Sequence, residues 1–147
     1  MQIKDLEAEC RFTTHDIDEQ HGQLIDAVTA LEYMLETETD VDLDTAVAEF
    51  LEFLTSYFLF HSFTEEKLMY ETGYPAEAYF EHIKQHKQIV LDLVAVQNME
   101  RTTLLDVSGG NPRERARQLV KSFREWIRNH VENTDRQLIE YLEAHGY

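Results

Sequence analysis

The chain has 147 residues, the length of a single domain, and 43% of them are hydrophobic and 11% aromatic, enough for a buried core without disulfide staples. Thirteen basic against 29 acidic side chains leave a formal charge of −16 at pH 7, which argues against nucleic acid or an anionic membrane as partner. Cys10 has no intrachain partner and the opening MQIKDLEAEC carries no apolar run, so a reducing, cytoplasmic setting without signal peptide or membrane anchor is expected.

Residues 1–17 read as an irregular N-terminal arm, followed by one bundle over 18–147. The first amphipathic stripe is Leu24, Ile25, Val28, Leu31 and Leu35, with Asp18 ahead of it as a predicted N-cap. TETDVDLD reads as a loop. The second stripe runs Val47, Phe50, Leu51, Leu54, Phe58, His61, Glu65, Leu68 and stops at Thr72-Gly73-Tyr74-Pro75. The third carries His82, His86, Ile89, Leu93 and Val96 and fades toward Val107. In the connector that follows, Asn111 is a predicted cap, Pro112 suits the first helical position, and Glu114 sits near a capping-box place. The last stripe is Leu119, Val120, Phe123, Trp126, Ile127, His130, Leu138 and Leu142. No strand-like alternation competes. The expected fold is all-α, an antiparallel up-down four-helix bundle.

Histidines fall on the buried stripes. His61 and Glu65 are four apart, about 40° around one helix face, and His82 and His86 repeat that geometry on the next helix. His21 opens the first helix and His130 lies on the fourth, so each helix brings imidazole toward one interior. A single core histidine is an ordinary hydrogen-bonded residue, but five with a carboxylate are costly to bury without a partner. A metal removes that cost, and nitrogen with carboxylate oxygen suits iron or zinc rather than magnesium or calcium. No thiolate cluster, HExxH or Glu-x-x-His motif is present, which excludes iron–sulfur, zincin and ferritin-like sites. His15 and His145 fall outside the pattern and read as surface residues. Tyr33, Tyr57 and Tyr70 keep redox chemistry open.

Taken in order, Ile17-Asp18-Glu19-Gln20-His21, the block YFLFHSFTEEKLM over Tyr57–Met69, Gly73-Tyr74-Pro75 with His82-x3-His86, and His130-x4-Asp135 resemble the hemerythrin family in its stand-alone bacterial form. The resemblance covers nearly the whole chain. It departs in two places: the interval from Pro75 to His82 is longer by about two residues, and Ser62 stands where the family usually carries phenylalanine.

The resemblance implies two irons, with His82, His86 and His130 on one and His21 and His61 on the other. Glu65, Asp135 and an oxo or hydroxo oxygen would bridge them, leaving one open position at the second iron. It further implies an oxygen pocket lined by Leu24, Ser62, Ile127 and Val131, with Phe63 able to swing into the space a missing ring leaves. The expected function is reversible dioxygen binding for storage, transport or sensing, by a monomer or weak homo-oligomer, without catalysis. The alternatives are a di-iron enzyme or repair protein acting on peroxide, nitric oxide or iron transfer, and a plain structural or metal-storage bundle. One local expectation follows from spacing. His130 and Asp135 are five apart, about 140° on a regular helix, so aiming both at one site requires a π-bulge or short break between them.

Overall fold

The computed structural model describes residues 14–108 and 110–147; Cys10 and the expected arm up to residue 13 lie outside the described residues. Helix α1 spans Thr14–Thr37, α2 Asp40–Glu71, α3 Ala76–Gln97, α4 Pro112–Asn129 and α5 Arg136–Ala144, with a π-helical segment, His130–Asp135, joining the last two. α4, the π segment and α5 form one rod, so the architecture is the all-α antiparallel four-helix bundle that the stripes predict.

Helix starts moved. Asp18 is not the first cap: α1 begins at Thr14, and residues 14–17 are helical rather than irregular. Ile17 supplies the reason, because it continues the apolar stripe one turn upstream and is fully buried against Met69, Leu138 and Leu142. The TETDVDLD loop also shrinks. Thr39 caps α2 by accepting the Asp42 N–H at 3.3 Å, and Asp40 and Asp42 in the first turn suit the positive end of the helix dipole. Leu43, fully buried, anchors that turn. Arg113 binds the carbonyl of Leu35, the carbonyl of Glu38 at 2.6 Å and the Asp40 carboxylate at 3.2 Å, tying the α1–α2 turn to α4.

At the other junctions the local signals hold. Gly73 takes φ 69° in the turn that precedes Pro75, and α3 starts directly after that proline. Asn111 accepts the Glu114 N–H at 2.9 Å with Pro112 inside the first turn. α3 ends at Gln97, short of the predicted fade toward Val107, and the chain turns through Met99 at φ 56° into a long connection.

Two apolar clusters fill the interior. One is built from residues such as Leu24, Leu54, Phe58, Ile89, Leu93 and Phe123, the other from Ile17, Leu68, Met69, Tyr74, Leu138 and Leu142. On every rod the stretch between the clusters carries the histidines: His21 on α1, His61 and Glu65 on α2, His82 and His86 on α3, His130 and Asp135 on the π segment. The bundle is thus two hydrophobic plugs with one polar layer between them.

Candidate metal centre

Regular helix turns supply the first two pairs. His61 and Glu65, then His82 and His86, stand one turn apart and face inward, the second pair with ring centroids 4.6 Å apart. The third pair needs the wider turn. The π segment brings Asp135 Oδ1 to 3.0 Å from His130 Nε2, as the five-residue spacing requires. Trp126 stacks on His130 and Tyr57 on His61, with interplanar angles of 11° and 12°, which fixes both ring planes.

All seven side chains meet in one buried cluster. Asp135 divides its carboxylate between two groups of imidazoles. Its Oδ2 lies 2.8 Å from His21 Nε2 and 3.8 Å from His61 Nε2, while Oδ1 lies 3.0 Å from both His82 and His130 Nε2. Glu65 Oε1 lies 3.3 Å from His82 Nε2, 3.1 Å from His86 Nε2, and in contact with His61. Ligand-capable atoms of His61, Glu65, His86, His130 and Asp135 all fall within 4.8 Å of one another. His86 and His130 even point Nε2 at Nε2, 3.1 Å apart.

The electrostatics are unsettled by design of the chain alone. Glu65 and Asp135 are fully buried, and their opposite charges come from imidazoles. Burial and mutual repulsion push the Glu65 carboxyl up, but His61 and His82 outweigh them and hold it well below its usual range. Asp135 is likewise held down against burial by hydrogen bonds from His130, His21, His61 and His82. Burial pushes His61 down, yet Glu65 and Asp135 lift it to about 10, and the same balance lifts His82 to about 9. In His86 burial wins, with His82 and His130 adding repulsion, and it falls to about 4. Glu65 Oε2 is a buried acceptor without a hydrogen bond. Imidazoles that give up their Nε2 protons here, together with the Glu65 and Asp135 oxygens, fit a cation, which takes the place of those protons.

The sequence matches the hemerythrin HHE cation binding domain over residues 13–142. The chain belongs to that family. No curated protein and no solved structure matches it. The cation-binding character of the hemerythrin HHE domain accounts for a buried cluster that the protein's own donors leave incomplete. Among the described residues no helix is long and apolar enough to cross a membrane.

The expected oxygen pocket of this hemerythrin domain separates into two. Leu24, Ile127 and Val131 line one cavity of about 470 Å³ together with His21 and Val28, between α1 and α4. Ser62 does not reach it. That residue lines a different crevice of about 260 Å³, with Leu59, Ile83 and His86, between α2 and α3. One step along a helix turns a side chain by about 100°, which carries Ser62 from the inward face of His61 to the α3 side. Phe63 is turned outward, 57% exposed, and lines neither cavity. His15 and His145 are exposed, as are Tyr33 and Tyr70; only Tyr57 of the three named tyrosines sits beside the cluster.

Sequence reasoning missed Gln20 and Gln85 as parts of the site. Gln20 Oε1 lies 2.7 Å from His61 Nδ1, and Gln85 Oε1 lies 2.8 Å from His130 Nδ1. A legible signal existed: the dipeptide Gln-His occurs at 20–21 and again at 85–86.

Proposed function

We propose that this hemerythrin domain binds dioxygen reversibly at a pair of iron ions, as a carrier, store or sensor rather than an enzyme. The observation that carries this reading is the cavity of about 470 Å³ that ends on His21. His21 belongs to the pair of imidazoles grouped with Asp135 Oδ2, whereas His82, His86 and His130 form the larger set. In this reading His82, His86 and His130 would hold one ion and His21 and His61 the other, with Glu65 and Asp135 contributing oxygens to the pair. Two ferrous ions would supply the electrons that dioxygen takes on capture and returns on release.

The chain's own residues supply the rest. Leu24, Val28, Ile127 and Val131 present hydrocarbon to the space beside His21, which disfavours water and slows irreversible oxidation. The charged lining residues Arg124, Glu125, Arg128 and Glu132 are all exposed, so they mark the outer rim and leave no ionisable side chain but His21 at the inner end. A small uncharged gas suits that passage.

The test is anaerobic loading with Fe(II) followed by cycles of air and argon. A visible charge-transfer band that forms in air and disappears under argon, cycle after cycle, is the expected result. Bleaching that does not reverse, with continuing consumption of added peroxide, would replace carriage by di-iron catalysis.

A further inference from the structure

Gln20 and Gln85 each follow the same construction. Each immediately precedes an inward-facing histidine on its own helix, and each reaches across to the histidine of a neighbouring element: Gln20 of α1 to His61 on α2, Gln85 of α3 to His130 on the π segment. We propose that both are positioning residues of the metal centre, one bracing each of the two imidazole sets. The proposal rests on the reading of the cluster as a two-metal site.

The direction of each amide is set by partners outside the centre. The Thr64 hydroxyl donates to the Phe60 carbonyl at 3.0 Å, so toward Gln20 it can only accept, and Gln20 Nε2 donates to it at 3.0 Å. The Gln20 carbonyl oxygen is therefore the atom that faces His61 Nδ1. On the other side, Gln85 Nε2 donates to the Glu81 carboxylate at 3.3 Å, and Gln85 Oε1 also accepts from the Thr134 hydroxyl at 2.8 Å. Thr134 lies in the π segment, so the wide turn that aims Asp135 inward also anchors this brace. An amide oxygen can only accept, so His61 and His130 must carry their proton on Nδ1. That leaves Nε2 free to hold a metal, with the ring plane fixed by Tyr57 or Trp126 behind it. His82 and His86 have no such brace, since their Nδ1 atoms are buried without a partner. One imidazole in each set is thus pre-set.

The experiment titrates the metal-free protein with Zn(II) against a chelator dye and records imidazole 15N spectra of the Zn(II)-loaded form. Wild type is expected to take two equivalents, with slowly exchanging Nδ1–H signals from His61 and His130. Gln20→Met and Gln85→Met keep the side-chain length and remove the acceptor. Each is expected to weaken one equivalent by about 10- to 100-fold and spare the other, and to lose the protected Nδ1–H of its own histidine only. Gln20→Glu and Gln85→Glu, which keep the acceptor, should retain both equivalents and both signals. Should Gln20→Met fail to fold, Thr64→Val frees the amide without touching the imidazole and carries the same expectation for His61. Met variants that bind both equivalents like wild type, or Glu variants that fall as far as Met variants, would overturn the braces alone. A wild-type chain that takes up no Zn(II) would overturn the metal centre, and the braces with it.

Discussion

Asp92 and Asp135 are both buried aspartates on helical rods of one bundle, yet their surroundings differ in kind. Asp92, 3% exposed, accepts the backbone N–H groups of Thr103, Leu104 and Leu105 at 2.9, 2.5 and 2.7 Å. Those three donors hold the long connection between α3 and α4 against the bundle. Asp135 is surrounded by imidazole nitrogens from four histidines, and Glu65 by those of three. Backbone donors cannot be removed, so Asp92 is completed by folding and has nothing further to bind. Imidazole protons can be exchanged, so Asp135 and Glu65 are completed only by protons or by a cation. Burial does not mark a functional carboxylate; the removability of its donors does.

Replacing Asp135 by alanine breaks that contrast most severely. The proposed bridging role predicts loss of both metal ions after refolding with Fe(II), as it does for Glu65→Ala, while His21→Ala should retain more. Metal analysis decides, and equal retention across the three variants would contradict the division of roles. Asp92→Ala is the counterpart: full metal content, but a loss of about 3 kcal/mol or more in stability, because three backbone donors lose their acceptor. Denaturant unfolding of the metal-free forms measures it, and a metal deficit in Asp92→Ala would erase the distinction between the two environments.

Proton occupancy sharpens the comparison further. With His61 lifted to about 10 and His82 to about 9, their pairing with Glu65 and Asp135 stabilises the metal-free fold fully below about pH 6.5. That contribution is lost as pH rises through 9 to 10. His86, lowered to about 4, acts in the opposite sense: stability falls as pH drops from about 6.5 toward 4, because the unfolded chain binds that proton more readily. Urea midpoints of metal-free protein across this range should therefore peak near neutral pH and decline on both sides. Zn(II) addition near pH 7.5 should release protons, measurable in weakly buffered solution, and release of none would mean His61 and His82 are not the groups displaced.

The smallest expected effect belongs to Tyr57. Its hydroxyl is buried without a hydrogen bond, and burial with the charges of Glu65 and Asp135 pushes its pKa up, keeping the phenol neutral. Tyr57→Phe removes an unsatisfied group and keeps the ring stacked on His61, so stability should stay level or rise by about 1 kcal/mol with metal content unchanged. A destabilised variant would show that the hydroxyl has a partner in solution.

The helical stripes, the inward histidines, the Asn111-Pro112 start and the five-residue gap that demands a π-turn were all legible in the sequence, because each depends on spacing along one helix. Tertiary structure alone decided the rest. Ile17 is held in its helix by neighbours that arrive from other elements to cover it, whereas α2 starts at its own Thr39 cap. Ser62 could face either of two neighbours, and the packing of α2 against α3 turned it away from the cavity beside His21. The bond from Gln20 to His61 spans 41 residues and that from Gln85 to His130 spans 45. Periodicity says which face of a helix is buried; it does not say which side chain of another helix stands opposite, and hydrogen-bond partners are chosen at that distance.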